Sequence, residues 1–162
     1  MDRLNSVLQT LDDLNNSISR CLVKYEKVSN WTVGMQIEHC LLGTRGICNA
    51  VVNSKPHTGK IKKGLLRRII FLTGTIPRGR GTAPDTSIPH EETTESGLRE
   101  LLSESILLVR KAAESESDCW WAHFRFGVMK RDEALKFVAI HNKHHLKLIS
   151  DIVSKSDVVV KR

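Results

Sequence analysis

The stretch RDEALKFVAIHNKHHLKLISDIVS, Arg131 to Ser154, decides the fold. Val138, His141, His145, Leu148 and Ile152 recur in a 3-4-3-4 alternation, the period of one buried helix face. The two histidines of His141-x-x-x-His145 therefore share the stripe that should face a core. A neutral imidazole there has two ring nitrogens to satisfy, at a cost on the order of 1–3 kcal/mol for a group left unmet. Two of them, one turn apart, call for a shared polar object, either a metal ion or a buried hydrogen-bond network. His144 falls about a hundred degrees away from His145 and is expected at solvent or a helix interface.

Three further stretches carry the same period. Leu4, Leu8, Leu11, Ile18, Leu22 and Tyr25 form the stripe of a first helix. A second helix, about Thr32 to Asn53, is apolar on two faces. One holds Ile37, Cys40, Leu41, Thr44, Ile47, Cys48 and Val51; the other holds Met35, His39, Leu42, Gly46 and Ala50. That pattern marks a central helix, with Thr32 as its N-cap. A third, about Glu95 to Glu116, turns Leu98, Leu101, Leu102, Ile106, Leu108 and Val109 inward. The second and third are joined by a long link, residues 54–93, with all four prolines and a short amphipathic piece near Ile61 to Leu72. The last link, 117–130, is compact and aromatic, and no strand-like alternation competes anywhere. The expected fold is all-α: an antiparallel, up-down-up-down four-helix bundle, one domain over 1–162, with a short extra helix in the 2–3 connection.

Composition narrows the function. The chain has 162 residues and a net charge of +7, and no apolar run nears the length of a membrane span. Its first residues mix acids among the apolar ones and do not read as a signal peptide, so a cytoplasmic location is expected. Charge is uneven. Residues 39–84 hold nine basic and no acidic side chains, while 85–118 hold nine acidic and three basic. Two surfaces that cancel are the simpler reading; a nucleic-acid groove is disfavoured, because the basic 55–80 stretch has one aromatic, Phe71.

The four cysteines form no C-x-x-C pair, and Cys40 and Cys48 read as small core residues. The run Gly74-Thr75-Ile76-Pro77-Arg78-Gly79-Arg80-Gly81 lacks the G-K-[ST] ending of a phosphate loop. Asn142 stands where a zinc peptidase would carry its glutamate base, and no Ser-His-Asp order or paired E-x-x-H appears. His39, on the central helix, is the third candidate beside His141 and His145. His57, His90 and His123 sit in links and weigh less.

Trp31-Thr32 followed by His39, a long loop, then His141-x-x-x-His145 resembles the DinB/YfiT-like superfamily. The segment from His123 to Glu133 is similar to the H-x-x-F-G-x-M-[ST]-x-x-E of one branch, which has no established function. Lys130 replaces its Ser or Thr, and Leu148 stands where Gln often follows the histidine pair. The resemblance implies a bacterial-type four-helix bundle with one divalent metal held by His39, His141 and His145. It also implies chemistry on low-molecular-weight thiols, as in characterised members, or a hydrolase-like relative. Three protein nitrogens leave an open metal position, where a bound water or thiol is acidified. Zn, Ni and Fe all suit imidazoles, and metal affinity should fall below about pH 6.5.

Arg78, Arg80 and Arg125 are the candidate contacts to a small-molecule substrate near the bundle mouth. Two other readings stand beside the enzyme. One is a non-catalytic basic module for nucleic acid or an acidic surface, using Lys55, Lys60, Lys62, Lys63, Arg67 and Arg68. The other is a homodimeric bundle whose histidines are a structural remnant. No membrane partner is expected.

Overall fold

The computed structural model describes residues 2–79 and 84–160, with side chains to Asp157. It is mostly helical: α1 (Arg3–Asn15), α2 (Val33–Asn53), α3 (Leu65–Thr73), α4 (Glu95–Glu114) and α5 (Arg131–Val160). A two-stranded sheet, β1 (Trp120–His123) and β2 (Gly127–Lys130), precedes α5. Short 3₁₀ turns occupy Ile18–Arg20 and Asp85–Ser87.

Side-chain caps begin three of the helices. Asp2 accepts from the Leu4 amide, Thr32 from Met35 at 3.1 Å, and Thr94 from Gly97 at 3.2 Å. The stripe of the first helix outlasts the helix itself. The run Asn15-Asn16-Ser17 offers the backbone side-chain alternatives to helical bonds, and Ser17 Oγ donates back to the Asp13 carbonyl. The chain then turns through the 3₁₀ segment, which buries Ile18 and leaves Leu22 81% exposed.

α2 packs against α4 and α5, and α1 against the same two helices. All seven residues expected on the first face of α2, from Ile37 to Val51, are buried. They meet Val7, Leu11 and Leu14 of α1, Leu98, Leu102 and Val109 of α4, and Val138 and Ile152 of α5 in one apolar cluster. On α4, Leu101, Ile106 and Leu108 are only partly buried, and Ser105 takes a fully buried place by donating to the Leu101 carbonyl. Gly34 marks a close approach at the start of α2. Its amide donates to the Cys21 carbonyl at 2.8 Å, and an added Cβ would lie 2.1 Å from Thr93 Oγ1.

The sheet was not expected. Trp120 pairs with Lys130 and His123 with Gly127, leaving a three-residue turn closed by Gly127 at φ +72°. Four-residue strands are too short for alternation to stand out from a compact link. The hairpin is fastened to α2 by the Trp120 amide, which donates to Ser54 Oγ at 2.8 Å. Lys130, the last residue of β2, pairs with Asp118.

The short amphipathic piece contains α3, which turns most of its apolar side chains outward. Arg67 and Ile70 are buried, while Leu65 (74%), Ile69 (47%) and Leu72 (88%) are exposed. Arg67 reaches the hairpin, donating to the carbonyls of Phe126 and Val128 and to Glu133. The basic block is matched differently from expectation as well. Arg45 pairs with Glu104 of the acidic block, but Lys63, Arg67 and Arg78 pair with Glu133 and Asp151 of α5. Among the described residues no helix is long and apolar enough to cross a membrane.

Candidate metal centre

α2 contributes His39 and α5 contributes His141 and His145. One imidazole nitrogen from each lies within 4.8 Å of the others. The rings are mutual neighbours, with centroids 5.0 Å apart for His39 and His141 and 4.6 Å for the other two pairs. His39 Nε2 and His141 Nε2 are 3.2 Å apart. Three nitrogens bound at about 2.0–2.1 Å in a tetrahedral site stand about 3.4 Å from one another, so the cluster is of the right size.

Outer nitrogens decide where the lone pairs point. His39 Nδ1 donates to the Ser87 carbonyl at 2.7 Å, and His145 Nδ1 to Gln36 Oε1 at 2.6 Å. A carbonyl only accepts, so each Nδ1 carries the hydrogen and each Nε2 presents a lone pair to the centre. The Gln36 amide is oriented in turn, since its Nε2 donates to Ser29 Oγ at 2.9 Å. Trp31 covers His39, ring centroids 5.2 Å apart. The donor set and its outer partners could hold a metal ion.

The three rings are neutral at neutral pH. Burial lowers the pKa of His39, against which the Ser87 carbonyl acts weakly. Burial takes His141 down to about 3, with the neighbouring charges of His39 and His144 adding to it. Burial and the same clustering lower His145 further still. Protons therefore compete for these nitrogens below the pH 6.5 expected from free imidazole.

Sequence reasoning missed Gln36 and Ser87. Gln36 precedes His39 by three residues, one turn away on the same helix, a spacing that could have found it. Ser87 acts through its backbone carbonyl, which no sequence pattern reveals. A buried carboxylate one residue before His39 was also overlooked. Glu38 takes the His90 amide at 2.8 Å and His90 Nδ1 at 2.6 Å, fastening the connection that carries Ser87.

The other candidates scatter. Arg78 pairs with Asp151 at 2.7 Å and stands near His144; Arg125 is exposed on the hairpin turn; Arg80 lies outside the described residues. His144 is half-buried, its ring edge-on to His145 at 5.1 Å, so it is not a simple solvent residue. His123 packs among Phe124, Phe126 and Phe137, and burial together with Arg125 lowers it to about 4. Burial pushes both Cys40 and Cys48 thiols up, Cys48 to about 12, in keeping with inert core cysteines.

A family model described as a protein of unknown function (DUF1569) matches residues 1–151. The chain belongs to the DUF1569 family. The match spans the whole histidine cluster, the hairpin and α3. No curated protein matches the chain, and no solved structure matches it.

Proposed function

We propose that this DUF1569 protein is a metal-dependent enzyme of the DinB/YfiT-like kind, acting on a small molecule. In this reading α1, α2, α4 and α5 form an antiparallel four-helix bundle, and His39, His141 and His145 are the ligands of one divalent metal. The observation that carries it is the orientation of two ligands from outside. His39 and His145 each spend Nδ1–H on a fixed acceptor, which leaves Nε2 lone pairs converging with His141.

A divalent metal so held supplies Lewis acidity, which near neutral pH makes a nucleophile of water or of a low-molecular-weight thiol. The chain's own residues do the rest. Ser87 and Gln36 hold the tautomers, burial keeps the three rings unprotonated, and Trp31 covers one side of His39. Burial disfavours thiolate at Cys40 and Cys48, so in this reading neither of them is the nucleophile.

The test is metal analysis of the purified protein beside a His39→Ala/His141→Ala double variant. The protein should hold about one equivalent and the variant almost none. Equal, near-zero content in both removes the reading.

α3 favours a second reading, in which the basic module docks on an acidic lipid surface. Leu65, Ile69 and Leu72 face outward beside Arg68, with Lys60 and Lys62 just before the helix. An exposed apolar stripe with cations at its margin is the pattern of an interfacial helix. Sedimentation with phosphatidylserine vesicles should capture the protein and lose the Ile69→Glu/Leu72→Glu variant. Absence of capture at low salt removes this reading.

A further inference from the structure

A cavity of about 460 Å³ opens beside the histidine cluster. Three stretches that are remote in sequence line it: Lys27 and Ser29 ahead of α2, Arg78 in the 2–3 connection, and His144, Leu148 and Lys155 on α5. With Val28 and Gly79 they make eight lining residues, of which Lys27, Arg78 and Lys155 are cations. Arg78 has a carboxylate partner, Asp151. Lys27 and Lys155 have none among the described residues. A concave surface lined by converging ammonium and guanidinium groups with one compensating acid attracts an anion.

Two features connect this cavity to the cluster. His144, in its wall, lies edge-on to His145 with 5.1 Å between ring centroids. Ser29, also in the wall, accepts from the Trp31 amide and from Gln36 Nε2, and Gln36 accepts from His145 Nδ1. Both acceptor sites of Ser29 Oγ are thus taken, and its own O–H has no acceptor among the described residues. It is free to donate to whatever occupies the cavity. The cavity and the histidines share a wall built from His144, His145 and the Ser29–Gln36 pair.

We propose that this cavity is an anion-binding subsite for a small organic molecule bearing a carboxylate or phosphate group. Lys27, Lys155 and Arg78 supply the charge, and Ser29 Oγ supplies a directed hydrogen bond. Leu148 gives the apolar wall against which the uncharged part of the molecule lies. That the bound molecule is also the substrate of the histidine site rests on the metal reading. Anion binding itself does not.

Calorimetric titrations of the full chain with inorganic phosphate and with succinate test the subsite and separate the two anion types. Both the metal-loaded and the chelated protein are titrated, beside Lys27→Ala/Lys155→Ala and Ser29→Ala. A Lys60→Ala/Lys62→Ala control removes the same charge outside the cavity. At least one of the two anions should bind. Its affinity should fall roughly tenfold or more in the Lys27/Lys155 variant and by a smaller factor in Ser29→Ala, with the control near the parent. Metal content is measured on the same samples and should not change in Lys27→Ala/Lys155→Ala or in the control; Ser29→Ala, which also takes away the acceptor of the Gln36 amide, is compared on the chelated protein alone. Binding of neither anion, or an equal loss in the control, overturns the proposal. A protein that takes no metal yet binds an anion at this site sinks the metal reading and leaves the subsite standing.

Discussion

His39 Nε2 and His141 Nε2 face each other across 3.2 Å, one from α2 and one from α5. Since His39 Nδ1–H is committed to the Ser87 carbonyl, His39 offers only a lone pair at Nε2. Without a metal, His141 must therefore present Nε2–H to it. With a metal, both Nε2 atoms present lone pairs and the His141 hydrogen resides on Nδ1. The pair thus has two hydrogen arrangements, and the ligand selects between them.

The acceptor behind His145 should matter as much as a ligand's own position. Gln36→Leu removes the one partner that His145 Nδ1–H has among the described residues and frees the ring to rotate or change tautomer. Metal affinity should drop about 10–100-fold. Gln36→Glu, which keeps an acceptor at that place, should retain it. Competition with a chromogenic chelator reads both; unchanged affinity in Gln36→Leu would show that His145 is oriented by something else.

Gly43 tests whether the His141 ring must stay where it is. A Cβ there would sit 3.6 Å from His141 Cε1, ordinary contact. Gly43→Ala should keep full metal binding and gain about 0.5–1 kcal/mol from the helical preference of alanine. Gly43→Leu must push the ring away and should lower metal affinity at least tenfold with the helix content unchanged. Circular dichroism beside a metal titration distinguishes the two, and full binding by Gly43→Leu would mean the ring has other room.

Much of this arrangement was visible in the sequence, for identifiable reasons. The 3-4-3-4 run through His141 and His145 and the two-faced α2 are long periodic patterns, and Thr32 caps where its type and position suggested. Other features depend on partners far along the chain. Asn15-Asn16-Ser17 ends α1 early by local competition that a stripe of leucines conceals. The hairpin is set by strand pairing over four residues, below what alternation can reveal. α3 reads correctly as amphipathic, yet its orientation follows from Arg67 finding two hairpin carbonyls and Glu133. The His39 partner is a backbone carbonyl from residue 87, invisible in any residue pattern.

That orientation of α3 should depend on the guanidinium and not on charge alone. Arg67 is 3% exposed and holds three acceptors at once. Arg67→Met leaves two carbonyls without this donor and Glu133 with Lys63 alone, a loss of about 2–4 kcal/mol. Arg67→Lys should recover little of it, because one ammonium cannot span the same fork. Urea unfolding measures both. A lysine variant as stable as the parent would show that any cation suffices.

Acid should destabilise the chelated protein through the histidine cluster. His39, His141 and His145 all have folded pKa values below the 6.5 of the free side chain, chiefly through burial. Below pH 6.5 the unfolded chain takes up protons that the native cluster refuses, so stability falls as pH falls. The contribution is intact above about pH 6.5. It declines down to the folded values, by up to about 1.4 kcal/mol per pH unit for each histidine. Surface groups oppose this in part: His90 is raised by its hydrogen bond to Glu38 and by that carboxylate's charge, so its stabilising effect is full at low pH and fades as pH rises through its folded value. The cluster has three members and is buried, so its sign should prevail. Thermal unfolding of the chelated protein between pH 7.5 and 5 should therefore show a falling Tm. A His141→Gln/His145→Gln variant, which leaves His39 as the one cluster histidine to refuse a proton, should show a flatter profile. Parallel profiles for the two proteins would place the acid sensitivity outside the cluster.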